Sequence, residues 1–133
     1  MARIEKLNPE AMRAPAGMYS HLARVSAGAE LVVVAGQVGI GPDGTTGDFD
    51  DQCAQAFANV GAALEAAGAG WSDVIQTMTF LTRRDDRGRL REWRNAAYAE
   101  RFPDGHYPPN TLLVVDALAT DDLLIEVQAI AAI

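Results

Sequence analysis

The sequence predicts an α+β domain in which one mainly antiparallel sheet carries two helices on a single face. Three observations predict it. β-Branched apolar runs and two helical stripes follow one another in the order strands, helix, strand, helix, two strands. The connections are short, and no repeat, low-complexity tract or linker divides the chain. The 133 residues, 49% of them apolar, suffice for one core and not for two comfortable ones, so residues 1–133 are read as one domain.

The elements follow in chain order. Tyr19–Val25 reads as an extended strand. Glu30–Gly36, ELVVVAG, is a β-branched run and reads as a buried strand. A glycine-rich loop spans Val38–Gly47. Phe49, Cys53, Phe57, Val60, Leu64 and Ala67 then recur at spacings of three and four, which puts them on one helix face. Asp48, Asp50 and Asp51 crowd the start of this helix, where its dipole favours negative charge. Gly68 lies past its end and suits a left-handed cap.

Val74–Thr82, VIQTMTFLT, is a strand by its β-branched content. A polar turn through Asp85–Gly88 leads to a second helix, with Leu90, Trp93, Ala97, Tyr98 and Phe102 as its inner stripe. Pro103, Pro108 and Pro109 exclude helix beyond that point. Thr111–Leu118 and Leu123–Ile133 are the last strands; in the latter Ile125, Val127, Ala129 and Ala131 alternate with Glu126 and Gln128. The terminal strands are apolar on both sides. The sheet face without helices is therefore expected to be covered by a partner subunit.

Composition narrows the function. The formal net charge of −7 disfavours nucleic acid as a partner, because phosphate neutralisation needs surplus Lys and Arg. No apolar stretch is long enough for a membrane span, and the N-terminal MARIEKLNPEAM carries charge where a signal peptide needs an apolar run. The single cysteine, Cys53, has no partner for an internal disulfide, and a reducing, cytoplasmic location is the expectation. His21, His106 and Cys53 are too few and too scattered for a metal site. Gly39-Ile40-Gly41-Pro42-Asp43-Gly44 matches GxGxxG letter by letter. Pro42 and the residues before Asp48 separate it from the helix, whose acidic start would repel a pyrophosphate. A turn-rich loop is the better reading.

Seven of the eleven basic residues lie between Arg83 and Arg101, interleaved with Asp85, Asp86, Glu92 and Glu100. The cluster reads as a solvated helix face with local ion pairs, as an RNA or phosphate patch, or as arginines crossing a subunit interface. Glu126 stands inside an apolar strand. If its face is buried, the carboxylate needs partners or a shifted pKa, and such a group can activate water as a general base. If its face is open, it is a solvated residue.

An ordered series of segments now lines up: Pro15 and Tyr19; Val33-Val34-Ala35-Gly36-Gln37; Gln52 and Asn59; Ala67-Gly68 and Asp73-Val74; Asn95-Ala96-Ala97-Tyr98; Phe102; Tyr107-Pro108-Pro109-Asn110-Thr111; Ile125-Glu126-Val127-Gln128-Ala129. The series resembles the RidA family, also called YjgF or L-PSP-type endoribonucleases, from about Pro15 to the end. The resemblance implies a chorismate-mutase-like α+β fold, a homotrimer with a small-molecule cleft between each pair of subunits, and no metal or organic cofactor. It implies hydrolysis of reactive enamines and imines, such as 2-aminoacrylate, to ketoacids and ammonia. A strand glutamate positions the attacking water in that family, and Glu126 matches it. Tyr19, Gly36 and Asn95 match three cleft-lining positions. Asn110, with Thr111 beside it, stands where the family has a substrate-binding arginine. Ala35 replaces a serine, and Leu112 occupies a position where many members have a reactive cysteine.

The arginine position matters most. A guanidinium grips a carboxylate with a charged fork, whereas Asn110 offers hydrogen bonds without charge. Charge-assisted bonds contribute about 1.5–3 kcal/mol and neutral ones about 1, so a carboxylated imine is expected to bind about ten-fold worse or more. An enamine or imine without a carboxylate is then the expected substrate, unless an arginine of the 83–101 cluster substitutes. A non-catalytic binding or regulatory trimer and an endoribonuclease are the alternatives. The second lacks a credible histidine pair for acid–base cleavage.

Overall fold

The computed structural model describes residues 2–133. Its strands are β1 (Ile4–Leu7), β2 (Leu22–Val25), β3 (Leu31–Val38), β4 (Val74–Leu81), β5 (Asn110–Val114) and β6 (Ile125–Ala132), and its helices are α1 (Phe49–Ala66) and α2 (Asp86–Arg101). β1 and β2 form a two-stranded antiparallel ribbon, held also by Glu5, which pairs with Arg3 and Arg24 at 2.6 and 2.5 Å. The main sheet runs β3-β6-β4-β5. Its pairs are antiparallel except β4 with β5, which is parallel. The expected α+β architecture is the one observed. Both helices pack on the sheet through a core that includes Phe57, Val60, Leu64, Leu90, Ile125 and Val127.

Local chemistry explains α1. Asp48 caps it by accepting from the Asp51 N–H, and the Asp51 carboxylate accepts from the Asp48 N–H. Phe49, Cys53, Phe57, Val60 and Leu64 are buried as the stripe requires, while Ala67 falls outside the helix and is exposed. Gly68 takes φ +75°, the left-handed conformation that terminates the helix. Residues 39–44 form a turn-rich loop in which Gly44 has φ +82°. Gln52 and Asn59 hold loops in place. Gln52 bridges Gly47, Asp122 and Leu124 through backbone hydrogen bonds, and Asn59 donates to the carbonyls of Val38 and Ile40.

Among the boundaries that differ from expectation, three lie near the cavity described below. Tyr19 lies in a loop, because β2 begins only at Leu22. β5 ends at Val114, well short of Leu118. α2 begins at Asp86 and includes Gly88, where a turn was expected. The buried Asp86 carboxylate accepts from Arg83 Nε at 2.7 Å and secures this first turn, and Leu90 and Tyr98 anchor the helix in the core. That packing outweighs the roughly 1 kcal/mol penalty of a helical glycine. Near the end of α2, the Arg101 guanidinium sits 5.4–5.7 Å from the ring centres of Phe57, Trp71 and Trp93 and donates to the Ala97 carbonyl.

The other sheet face carries no helix. Strand alternation and register place Met78, Phe80, Ile130, Leu113 and Val33 on it. Val33 is 73% exposed and Leu31, near it on the outer edge, 60%. No helix among the described residues is long and apolar enough to cross a membrane.

Candidate functional site

A cavity of about 590 Å³ opens beside β5, between the first half of α2 and the loop at 16–19. Its wall brings together Tyr19, Asn95 and Asn110 with Arg87, Arg91 and Arg94. Asn110 begins β5 level with Thr77 of β4, on the helix side of the sheet. The buried Thr77 and Thr79 hydroxyls donate to its Oδ1 at 2.9 and 3.0 Å. That leaves the amide nitrogen of Asn110 as a donor without an acceptor among the described residues. Arg94 Nη2 in turn donates to Thr79 Oγ1 at 3.0 Å, and its guanidinium lies 5.6 Å from the centre of the Tyr98 ring. One hydroxyl therefore joins a guanidinium from α2 to the amide on β5. Tyr19 is steadied by a T-shaped contact with His21, ring centres 5.8 Å apart, and its hydroxyl accepts from the Ala16 N–H. Leu112, also helix-facing, completes the apolar part of the wall.

Glu126 lies elsewhere. On β6 it is level with Val38 of β3 and Phe80 of β4, and it faces the helix-free side while its neighbours Ile125 and Val127 are fully buried. Its carboxylate rests against Gly36, at the irregularity in the β3–β6 register; a β-carbon at residue 36 would overlap it. Thr111, level with Met78, faces the same side. The residues expected to share one site therefore fall into two groups on opposite faces of the sheet within one chain. Tyr19, Asn95 and Asn110 share the cavity, and Gly36, Glu126 and Thr111 share the opposite sheet face.

The cavity wall is cationic in an acidic chain. Of the seven clustered arginines, Arg83 pairs with Asp86 and Arg89 with Asp50. Among the described residues, Arg87, Arg91 and Arg94 have no carboxylate within ion-pair distance. The reading of a helix face laced with local ion pairs thus holds for only part of the cluster. The signal for the three lining residues lay in their spacing: positions 87, 91 and 94 are four and three apart, on the same face as Leu90. Sequence reasoning saw the cluster but not this choice of members.

Cys53 is buried in the core, and desolvation pushes its thiol up to about 12, so it stays protonated at neutral pH. Burial likewise raises the phenol of Tyr98. No group of His, Cys, Asp and Glu suited to a metal ion occurs among the described residues.

Comparison with known proteins agrees with this architecture. The endoribonuclease L-PSP family model matches residues 10–133. A RutC family protein of Pyrococcus horikoshii is 36% identical over 120 residues, 88% of each chain. The 2-iminobutanoate/2-iminopropanoate deaminase of Mus musculus is 31% identical over 124 residues, covering 90% of this chain and 85% of that one. The crystal structure of YyfB, a Rid-family protein of Yersinia pestis, superposes with a TM-score of 0.83 at 31% identity over 98% of both chains. With a family model matching residues 10–133 and relatives of over 30% identity covered along most of their length, the chain belongs to the RidA/YjgF family, the family described as endoribonuclease L-PSP.

Proposed function

We propose that this chain forms a homotrimer that holds a small molecule between subunits and hydrolyses a reactive enamine or imine there. One observation carries the reading: the two groups of site residues lie on opposite faces of the sheet, and among the described residues no helix covers the apolar face that carries Glu126. A second copy docked on the open face would bring the Glu126 half of one subunit to the cavity of its neighbour. The three-fold arrangement is the one the family resemblance implies, and the relative named as a deaminase supports the reaction class.

The chemistry uses the residues as follows. An enamine first tautomerises to an imine: its carbon takes a proton from solvent and its nitrogen gives one up. Glu126 accepts a proton from a water molecule, and the water oxygen attacks the imine carbon. The C=N π pair moves to nitrogen, which takes the proton that Glu126 holds. The amine of the resulting carbinolamine then takes a second proton while the hydroxyl gives one to the Glu126 carboxylate; C=O forms, the C–N bond breaks, and ammonia and a carbonyl product leave. Tyr19, Asn95 and the Asn110 amide supply polar contacts that orient the substrate. Asn110 gives no charge to a carboxylate on the reacting carbon, so 2-aminoacrylate is a poor substrate unless an α2 arginine of the cavity wall takes over that role.

Ammonia release over a panel of imines tests the proposal, together with Glu126→Gln. General-base catalysis is worth about 10²–10⁴-fold, so the variant should lose at least two orders of magnitude while still binding ligand as a trimer. Unchanged turnover in that variant, or a monomeric wild type by light scattering, would overturn it. Ligand binding without any turnover by the wild type would leave a binding protein in its place.

A further inference from the structure

We infer that Arg94, with Arg91 and Arg87 at the rim, makes the cavity a site for a small dianion. Every negative charge of the ligand would then be held from α2 and not from the β5 position that Asn110 occupies. The inference rests on the cavity being the ligand site, and it deepens that reading by naming the ligand's charge.

Three facts converge. The arginines at 87, 91 and 94 stand one and two turns apart on one helix face and all reach the cavity wall. None is neutralised by a carboxylate among the described residues, although the chain has 18 acidic side chains against 11 basic ones. Asp86 and Asp50 are each paired with another arginine, Arg83 and Arg89. Three guanidinium charges attract anions, and a dianion neutralises two of them where a monoanion neutralises one.

Arg94 is also the oriented member of the three. It is half-buried, its Nη2 is fixed on Thr79, its plane is backed by Tyr98, and its buried Nε has no partner. The free Asn110 amide N–H lies beyond the same hydroxyl and adds a neutral donor. The ligand's anionic group thus sits displaced from the Asn110 position toward α2. A dicarboxylate and a phosphate ester share this chemistry, and only their shapes distinguish them. Arg94 is then the arginine of the 83–101 cluster that substitutes for the one absent at the Asn110 position, the alternative to a substrate without a carboxylate.

Titration calorimetry on the intact protein at constant ionic strength tests the inference, with succinate, inorganic phosphate and the monoanion pyruvate as probes. Succinate or phosphate should bind at least ten-fold tighter than pyruvate, and the preferred one identifies the dianion class. Arg94→Gln should lose about ten-fold or more of that affinity, with Arg94→Lys intermediate because it keeps charge but not the fork. Unfolding midpoints of both variants separate loss of the site from loss of the fold. Equal binding of all three probes, or dianion affinity unaltered in a folded Arg94→Gln, overturns the inference. The readout needs no turnover. Dianion binding without hydrolysis therefore sinks the catalytic proposal alone, and hydrolysis of imines without Arg94-dependent binding sinks this one alone.

Discussion

The Glu126 carboxylate rests on Gly36, in space that any other side chain at 36 would occupy. The glycine therefore sets where the carboxylate can stand. Gly36→Ala should displace the Glu126 head while leaving the core untouched. A methyl group in a strand offsets part of the strain through its lower backbone entropy loss, so stability should change by less than about 1 kcal/mol. Imine hydrolysis should fall by about 10²-fold. Urea unfolding and ammonia release check the two halves. A variant with full activity would mean that the position of Glu126 is not set by Gly36.

Asn110 is tied into the fold by the two threonine hydroxyls that donate to it. Asn110→Ala leaves both buried donors without an acceptor, at about 1–3 kcal/mol each, so a loss of roughly 2 kcal/mol or more is expected in urea unfolding. Asn110→Asp keeps an acceptor for both and should hold stability within about 1 kcal/mol of wild type. It also puts a negative charge beside Arg94, so dianion affinity should fall about ten-fold or more. Equal stability of the alanine variant would show that the hydroxyls find other acceptors.

Cys53 links the core to pH. Its folded thiol is pushed up to about 12 by burial, above an unfolded value near 9. A raised pKa means that the folded state holds the proton longer. The stabilisation is fully present below about pH 9 and is lost as pH rises towards 12. Wild-type stability should therefore fall in this window by at most about 1.4 kcal/mol per pH unit more than that of Cys53→Ala. Parallel urea titrations at pH 8 and pH 10.5 measure the difference (roughly the ends of the usable range). Identical slopes would contradict the burial argument. The same burial predicts that a thiol reagent reacts only as fast as the protein opens.

The open sheet face gives a test of assembly. Val33 is 73% exposed on the edge strand β3, where a charge is well solvated in a lone subunit. Val33→Asp should leave the circular dichroism spectrum of a folded subunit. It should shift the mass by light scattering from three chains towards one and abolish hydrolysis, because the two groups of site residues no longer meet. A trimer that tolerates Val33→Asp would place the contact elsewhere on the sheet.

Much of the fold was legible because its code is local. A stripe at spacings of three and four with an acidic cap and a terminal glycine determines α1, and period-two alternation determines β6, within a turn of the chain. β1 left little signal: four residues of mixed polarity pair only because β2 lies beside them. The residues expected at the candidate site were also named one by one, from the ordered motifs. What the tertiary structure alone decided is which of them meet. Alternation along a strand says that Asn110 and Thr111 face opposite ways, but only the pairing of β5 with β4, and of β6 between β3 and β4, says that Asn110 faces the helices and Glu126 does not. The same holds for the choice of Arg87, Arg91 and Arg94 from seven arginines, since a helix face acquires meaning only from the element it turns towards.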